Sequence, residues 1–173
     1  NADKQPERLP TSRRACSVLV RVCEARALAA KDSSGTSDPY VEVWLEQRRW
    51  RSSVKQKQLS PTWEDEVELD AERADSVVHF VVFDWNRMTG PQFMGEVVLP
   101  LASMREGQQT DAWYELQQPK SVMEGVSGSI RLITMLRDVD QRAVSAASTR
   151  RDDVFWIEPQ LANTLADQRS SSG

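Results

Sequence analysis

From Ser17 to Leu136 the chain is a succession of short alternating segments, each ended within about a dozen residues by a turn signal. SVLVRVCEARAL puts Val18, Val20 and Val22 on one side, and YVEVWL does the same with Val41, Val43 and Leu45. WEDEVELD aligns Trp63, Val67 and Leu69, with Asp65 an exception near the strand start. A period of two sends successive side chains to opposite faces of a strand. RRWRSSVKQ, SVVHFVVFDW, FMGEVVLPL, DAWYELQ and SGSIRLITML bring the β-type segments to eight. Ser34-Gly35, Ser60-Pro61 and Gly90-Pro91 separate some of them, and AERADS and LASMREGQQ read as short helical or turn connections. This spacing predicts an all-β sandwich rather than βαβ units.

A chain of 173 residues accommodates one such domain with tails. Hydrophobic residues at 39% suffice for a core, and charged residues at 28% for a soluble exterior. The net charge of −4 gives no global attraction to nucleic acid, so what matters is where the cations sit. The longest apolar run, Val77 to Phe83, falls far short of the roughly 20 residues a membrane-spanning helix needs. Residues 1–14 are polar, with neither an apolar leader nor an initiating Met, and read as a flexible lead-in to a fragment of a longer intracellular protein. The sandwich is assigned to 15–137. Beyond it, 138–173 reads as a polar tail or linker in which VFWIEPQLANTLADQ forms a short amphipathic helix. Phe155, Trp156 and Ile157 there make an apolar patch that caps the sandwich or meets a partner. Cys16 and Cys23 lie on one expected strand, about 23 Å apart at ~3.3 Å per residue. A disulfide needs Cα atoms within about 7 Å. Both are expected as free thiols, one facing in and one out.

KDSSGTSDPYVEVW carries Asp32 and Asp38 six residues apart, with Ser, Gly and Thr between them. Small residues let such a loop fold back so that both carboxylates point into one cup, and a hard cation such as Ca²⁺ wants several such oxygens. Together with VRVCEARAL, Ser60-Pro61-Thr62-Trp63 and Phe83-Asp84…Gly95-Glu96, this loop resembles the calcium- and lipid-binding module called the C2 domain, over about 15–137. The resemblance implies eight antiparallel strands in a sandwich, with the metal-binding loops gathered at one end. Modules of this family occur in two circularly permuted forms. Only a mostly polar stretch precedes Ser17, whereas Gly128 to Leu136 supplies a good strand at the end, so the permuted form is expected. That form is similar to modules of phospholipases C, novel protein kinases C, Ras GTPase-activating proteins and vesicle-priming proteins.

The resemblance also implies a ligand set. Five acidic positions commonly cage the ions, two in the first loop and three in the third. Asp32 and Asp38 match the first pair and Asp84 opens the third loop, but Asn86 and Gln92 stand at the remaining two. Amides bring no charge, and affinity in such sites follows the number of charged ligands. Two outcomes stay open: one weakly held ion on Asp32, Asp38, Asp84 and Asn86, or aspartates that only shape their loops.

RRWRSSVKQKQ concentrates Arg48, Arg49, Arg51, Lys55 and Lys57 in an acidic protein. Read as one continuous strand, it aligns Arg49, Arg51, Ser53, Lys55 and Lys57 on one face. Each cation near an anionic leaflet is worth about 1 kcal/mol, so the strip suits anionic phospholipid without any metal. At the third-loop tip Arg87 and Met88 suit phosphates and a shallow apolar insertion. Few aromatics share the cationic face, which argues against RNA. His79 is the only histidine and is expected as a structural strand residue, and Trp63, Trp113 and Tyr114 as core and strand-edge packing. No Gly-x-Ser-x-Gly, second His or phosphate loop supports catalysis. The expectation is a non-enzymatic module of a signalling or vesicle-trafficking protein, cytoplasmic and peripheral on the membrane. The alternatives are a protein-interaction module, docking a partner or neighbouring domain, and a regulatory segment of a multidomain enzyme.

Overall fold

All eight alternating segments are strands in the computed structural model, which describes residues 16–119 and 125–138. In chain order they are β1 (Cys16–Arg26), β2 (Pro39–Leu45), β3 (Arg48–Arg51), β4 (Thr62–Ala71), β5 (Val77–Asp84), β6 (Gln92–Pro100), β7 (Gln109–Glu115) and β8 (Ser129–Asp138). The only described helical turn is a 3₁₀ turn at Leu101–Ser103. Two four-stranded antiparallel sheets result, ordered β4-β1-β8-β7 and β3-β2-β5-β6. The last strand lies between β1 and β7, so the first sheet takes both its first and its last strand into the middle.

The alternation seen in the sequence is the reason for the layering. Val18, Val20 and Val22 of β1, Leu69 of β4, and Ile130 and Leu132 of β8 meet Val41, Val43 and Leu45 of β2 and Val78, Phe80 and Val82 of β5 in one core, nearly all inaccessible to solvent. Trp63 joins them, as expected. Burial of this apolar area, at roughly 25 cal/mol per Å², is the main force closing the sandwich.

One expectation needs correction. The basic segment is not one continuous strand: β3 stops at Arg51. The amide of Ser52 still reaches the Val41 carbonyl at 2.8 Å, but the Val41 amide bonds the Ser52 hydroxyl, also at 2.8 Å, instead of a backbone carbonyl. Ser52 thereby caps its own ladder. Regular pairing would set Val54 opposite Pro39; the Pro39 carbonyl instead receives the Lys55 amide at 3.0 Å. One extra residue breaks the parity, so Lys55 and Lys57 do not continue the row of Arg49 and Arg51 by alternation. Neither cysteine forms a disulfide, and both are buried. Cys16 belongs to the core cluster, whereas Cys23 lies outside it, at a bulge of β1 between Val22 and Glu24 and among the charges of Glu64, Arg131, Asp111 and Arg21. Burial pushes the Cys23 thiol pKa up. The tail with Phe155, Trp156 and Ile157, and the lead-in, lie outside the described residues.

Candidate functional site

The strand directions collect the β1–β2, β3–β4 and β5–β6 connections at one end of the sandwich, and the sequence-expected cup lies there. Loop 1 turns tightly between Asp32 and Gly35, whose amide bonds the Asp32 carbonyl at 3.0 Å and whose φ of 80° suits glycine. The base of the loop is closed by Ser37, fully buried, whose hydroxyl accepts the Lys31 amide and donates to the Ala29 carbonyl. Asp38 and Asp84 come together because Pro39 and Asp84 are paired at the ends of β2 and β5. The Asp38 amide donates to Asp84 Oδ1, and the Trp85 amide to the Asp38 carbonyl at 2.9 Å.

Asp84 is wholly withdrawn from solvent, and its Oδ2 has no hydrogen-bond partner among the described residues. Burial raises its pKa, the Asp38 amide opposes the rise, and the charges of Asp32 and Asp38 add to it. An orphaned oxygen beside two more carboxylates is one element of a hard-cation site. Two of the other donor oxygens are engaged by backbone amides. Asp38 Oδ1 accepts the Lys57 amide at 2.7 Å, and Asn86 Oδ1 accepts the amides of Met88 and Thr89 at 2.9 and 3.2 Å, an Asx turn that shapes loop 3. Gln92 pairs across the strand ends with Asp84. Among the described residues no three His, Cys, Asp or Glu side chains are gathered closely enough to hold a metal ion. Asp32, Asp38, Asp84 and Asn86 do not fit a multi-ligand cage as they stand.

The basic segment has a different architecture. Antiparallel pairing sets residues directly opposite one another on the same face. The outer face of the second sheet is therefore built in rows: Arg49–Trp44–His79–Val98, then Arg51–Glu42–Val81–Glu96, then Tyr40–Phe83–Phe93. Tyr40, Val81, Phe83 and Phe93 form a second apolar cluster, against which Trp44, Val54 and Val126 pack. On this floor lie the arginines. The Arg49 guanidinium sits 4.3 Å from the centre of the Trp44 ring, and that of Arg51 sits 4.0 Å from the centre of the Tyr40 ring. Both are cation–π contacts. Glu42, 2% exposed, lies between, and its Oε2 accepts the Trp44 indole N–H at 2.8 Å. Burial pushes the Glu42 carboxyl pKa up, with the Trp44 bond and the charges of Arg49 and Arg51 acting against it. The Tyr40 phenol is pushed up to about 12, chiefly by burial.

From Arg51 the chain runs along β2 to the loop end, where the Lys57 amide meets Asp38. The cationic segment and the cup are thus continuous, a juxtaposition that spacing alone does not reveal. Lys55 is half-buried and Lys57 exposed, with a positive φ of 53° in its turn. At the tip of loop 3 Met88 is 90% exposed, with Arg87 exposed beside it, and Trp85 is partly exposed. Trp113, expected as core or strand-edge packing, lies on the edge strand β7, partly exposed beneath the Arg26 guanidinium at 4.1 Å. His79 is mid-strand as expected, with Nδ1 3.7 Å from Glu96 Oε2. Reading the sequence for cations passed over Tyr40, Glu42 and Trp44. Their signal was present: in YVEVW they are the alternate set to Val41, Val43 and Leu45.

Comparison with known proteins agrees with this geometry. The family model of the C2 domain matches residues 16–116. Human Ras GTPase-activating protein 4B is 36% identical over 130 residues, covering 72% of this chain. The match takes in only 16% of that protein's length. The solved C2A domain of plant Extended Synaptotagmin 1 superposes with a TM-score of 0.64 at 26% identity, covering 72% of this chain and 96% of the domain. The calcium-bound C2A and C2B domains of Extended-Synaptotagmin 2 share the fold, with a TM-score of 0.62, 20% identity, and 79% and 52% coverage. With its eight strands in two four-stranded sheets and its loop-end aspartates, the chain belongs to the C2 domain family.

Proposed function

We propose that this C2 domain is a membrane-targeting module without catalytic activity of its own. It meets anionic phospholipid through Arg49, Arg51, Lys55 and Lys57, and calcium has a weak or vestigial part. The observation that carries this reading is the pair of guanidiniums laid on Trp44 and Tyr40 in adjacent rows of one sheet face. Aromatic shelves hold flexible cations in place, so less side-chain entropy is lost when a phosphate binds. With each cation worth about 1 kcal/mol near an anionic leaflet, the four together support reversible, peripheral attachment. Arg87 and the exposed Met88 add a shallow contact at the loop tip. No helix among the described residues is long and apolar enough to cross a membrane.

Weak calcium dependence is supported by the cup's own bonds: Asp38 and Asn86 are engaged by backbone amides, and Gln92 brings no charge. The place of β8 between β1 and β7 supports the permuted form of the family. A larger signalling or trafficking protein, acting at the cytoplasmic face, is the natural setting.

Sedimentation with vesicles containing phosphatidylserine, with calcium or with chelator, tests the proposal. Binding is expected in both conditions and is expected to fall at least tenfold in R49E/R51E, since two charges are reversed. Failure to bind under any condition sinks the lipid reading in favour of a protein partner. Binding abolished by chelator but indifferent to R49E/R51E would transfer the function to Asp32, Asp38 and Asp84.

A further inference from the structure

Glu42 is an unusual residue to find beneath a cationic surface. It is a carboxylate with 2% of its surface exposed, in the middle of a row whose other members are Arg51, Val81 and Glu96. Burying such a charge is unfavourable unless it is hydrogen-bonded and paired. Here the compensation comes from the Trp44 indole N–H at 2.8 Å and from two guanidiniums, those of Arg51 directly opposite on β3 and Arg49 in the next row. Among the described residues, the remaining charged or titratable groups facing it are Tyr40 on its own strand, His79 on β5 and Glu96 on β6 beyond Val81. Val126 packs against the apolar cluster beside it.

The arrangement gives Glu42 two connections to the arginines. It fixes the indole on which Arg49 lies, and it shares the positive charge of both guanidiniums with whatever binds outside. We infer that Glu42 is the positioning residue of this anion-binding face and that it links anion binding to proton uptake. The inference rests on the lipid reading above. An incoming phosphate competes with the Glu42 carboxylate for the same two cations, and its own charge further disfavours a buried anion. Anion and proton therefore favour each other's binding by equal factors, as linkage requires. Burial already raises the proton affinity of the carboxyl, which moves its titration toward the range where the exchange can be observed.

The test uses the 173-residue chain and vesicles containing phosphatidylglycerol, whose phosphate keeps its charge between pH 7.5 and pH 5. Wild type is expected to bind more tightly as pH falls, by up to about five-fold, the effect of removing one charge from the face. E42Q is expected to bind more tightly than wild type at pH 7.5 and to lose most of the wild-type pH dependence; an E42Q chain with the wild-type pH dependence overturns the inference. H79Q is expected to keep the full pH dependence; its loss would assign the effect to His79 and overturn the inference. W44F keeps a ring under Arg49 but removes the N–H that stabilises the carboxylate, so the midpoint of the binding–pH curve should move up. An unmoved midpoint overturns the inference even if E42Q does not fold. R49E/R51E separates the two levels. If it binds like wild type, the lipid reading itself fails. If it loses binding while E42Q titrates like wild type, only the role of Glu42 fails.

Discussion

Fully withdrawn from solvent, the Asp84 carboxylate has one oxygen bonded to the Asp38 amide and the other bonded to nothing among the described residues. Its proton affinity in the folded chain is raised, first by burial and then by Asp32 and Asp38. The sign of the linkage follows. Stability tied to a raised carboxyl pKa is complete below the unfolded value, about 4, and is lost as pH climbs through the folded one. D84N keeps the Oδ1 acceptor and is neutral at every pH. It should therefore melt higher than wild type at pH 7, by some 4 °C or about 1 kcal/mol, and the gap should close as pH falls toward 3. Thermal scans across pH check this, and a D84N chain less stable than wild type at neutral pH refutes it. Glu46 shows the opposite sign. Burial raises its pKa, but the amides of Glu72 and Arg73, the Ser76 hydroxyl and Arg48 outweigh this and leave it low. Its contribution is present above the unfolded value and lost in acid. E46A should cost about 1–2 kcal/mol at pH 7, read from urea unfolding, and much less near pH 3. Neither environment is legible in sequence, since each depends on amides brought from 26 or more residues away.

At the scale of elements, most of the architecture was legible because period-two alternation is a local signal with a global meaning. YVEVWL and WEDEVELD declare their inner faces before any pairing is known. What the alternation does not carry is a bulge. One extra residue after Ser52 ends β3 and removes Lys55 and Lys57 from the arginine row, and another irregularity shifts the register of β1 at Cys23. Both are decided by a hydrogen bond or register choice made across the sheet. Close approaches are equally hidden. Gly128, just before β8, has φ of 96°, and a Cβ there would meet the Arg26 carbonyl oxygen at 2.4 Å and that of Ala27 at 2.7 Å. Backbone cannot yield as a side-chain end can. G128A should lose roughly 2–3 kcal/mol, measured by urea unfolding; a loss below about 0.5 kcal/mol would mean that β1 and β8 can part at that point.

For the whole molecule, the resemblance read from loop spacing agrees with the family to which the chain belongs, and the candidate site was legible in part. Arg49 and Arg51 were evident as cations; their aromatic shelves, and the carboxylate beneath them, appear only when β2 and β3 are aligned. A surface that binds through charge should respond to salt. Raising ionic strength from about 0.1 M to 1 M shortens the screening length from about 10 Å to 3 Å and should release most of the chain from anionic vesicles. M88A, which trims one exposed side chain, should weaken binding by about 1 kcal/mol or less. A larger loss in M88A than in R49E/R51E would make apolar insertion, and not charge, the main attachment.

The early end of β3 has a consequence for behaviour in a crowd. Among the described residues this strand is an edge of the second sheet, and only four of its residues keep ladder geometry before the Ser52 hydroxyl interrupts it. A neighbour seeking to add its own strand there finds a short, arginine-bearing template that repels a second copy of itself. Molecules concentrated side by side on one surface can thus reach high density and still come apart one at a time.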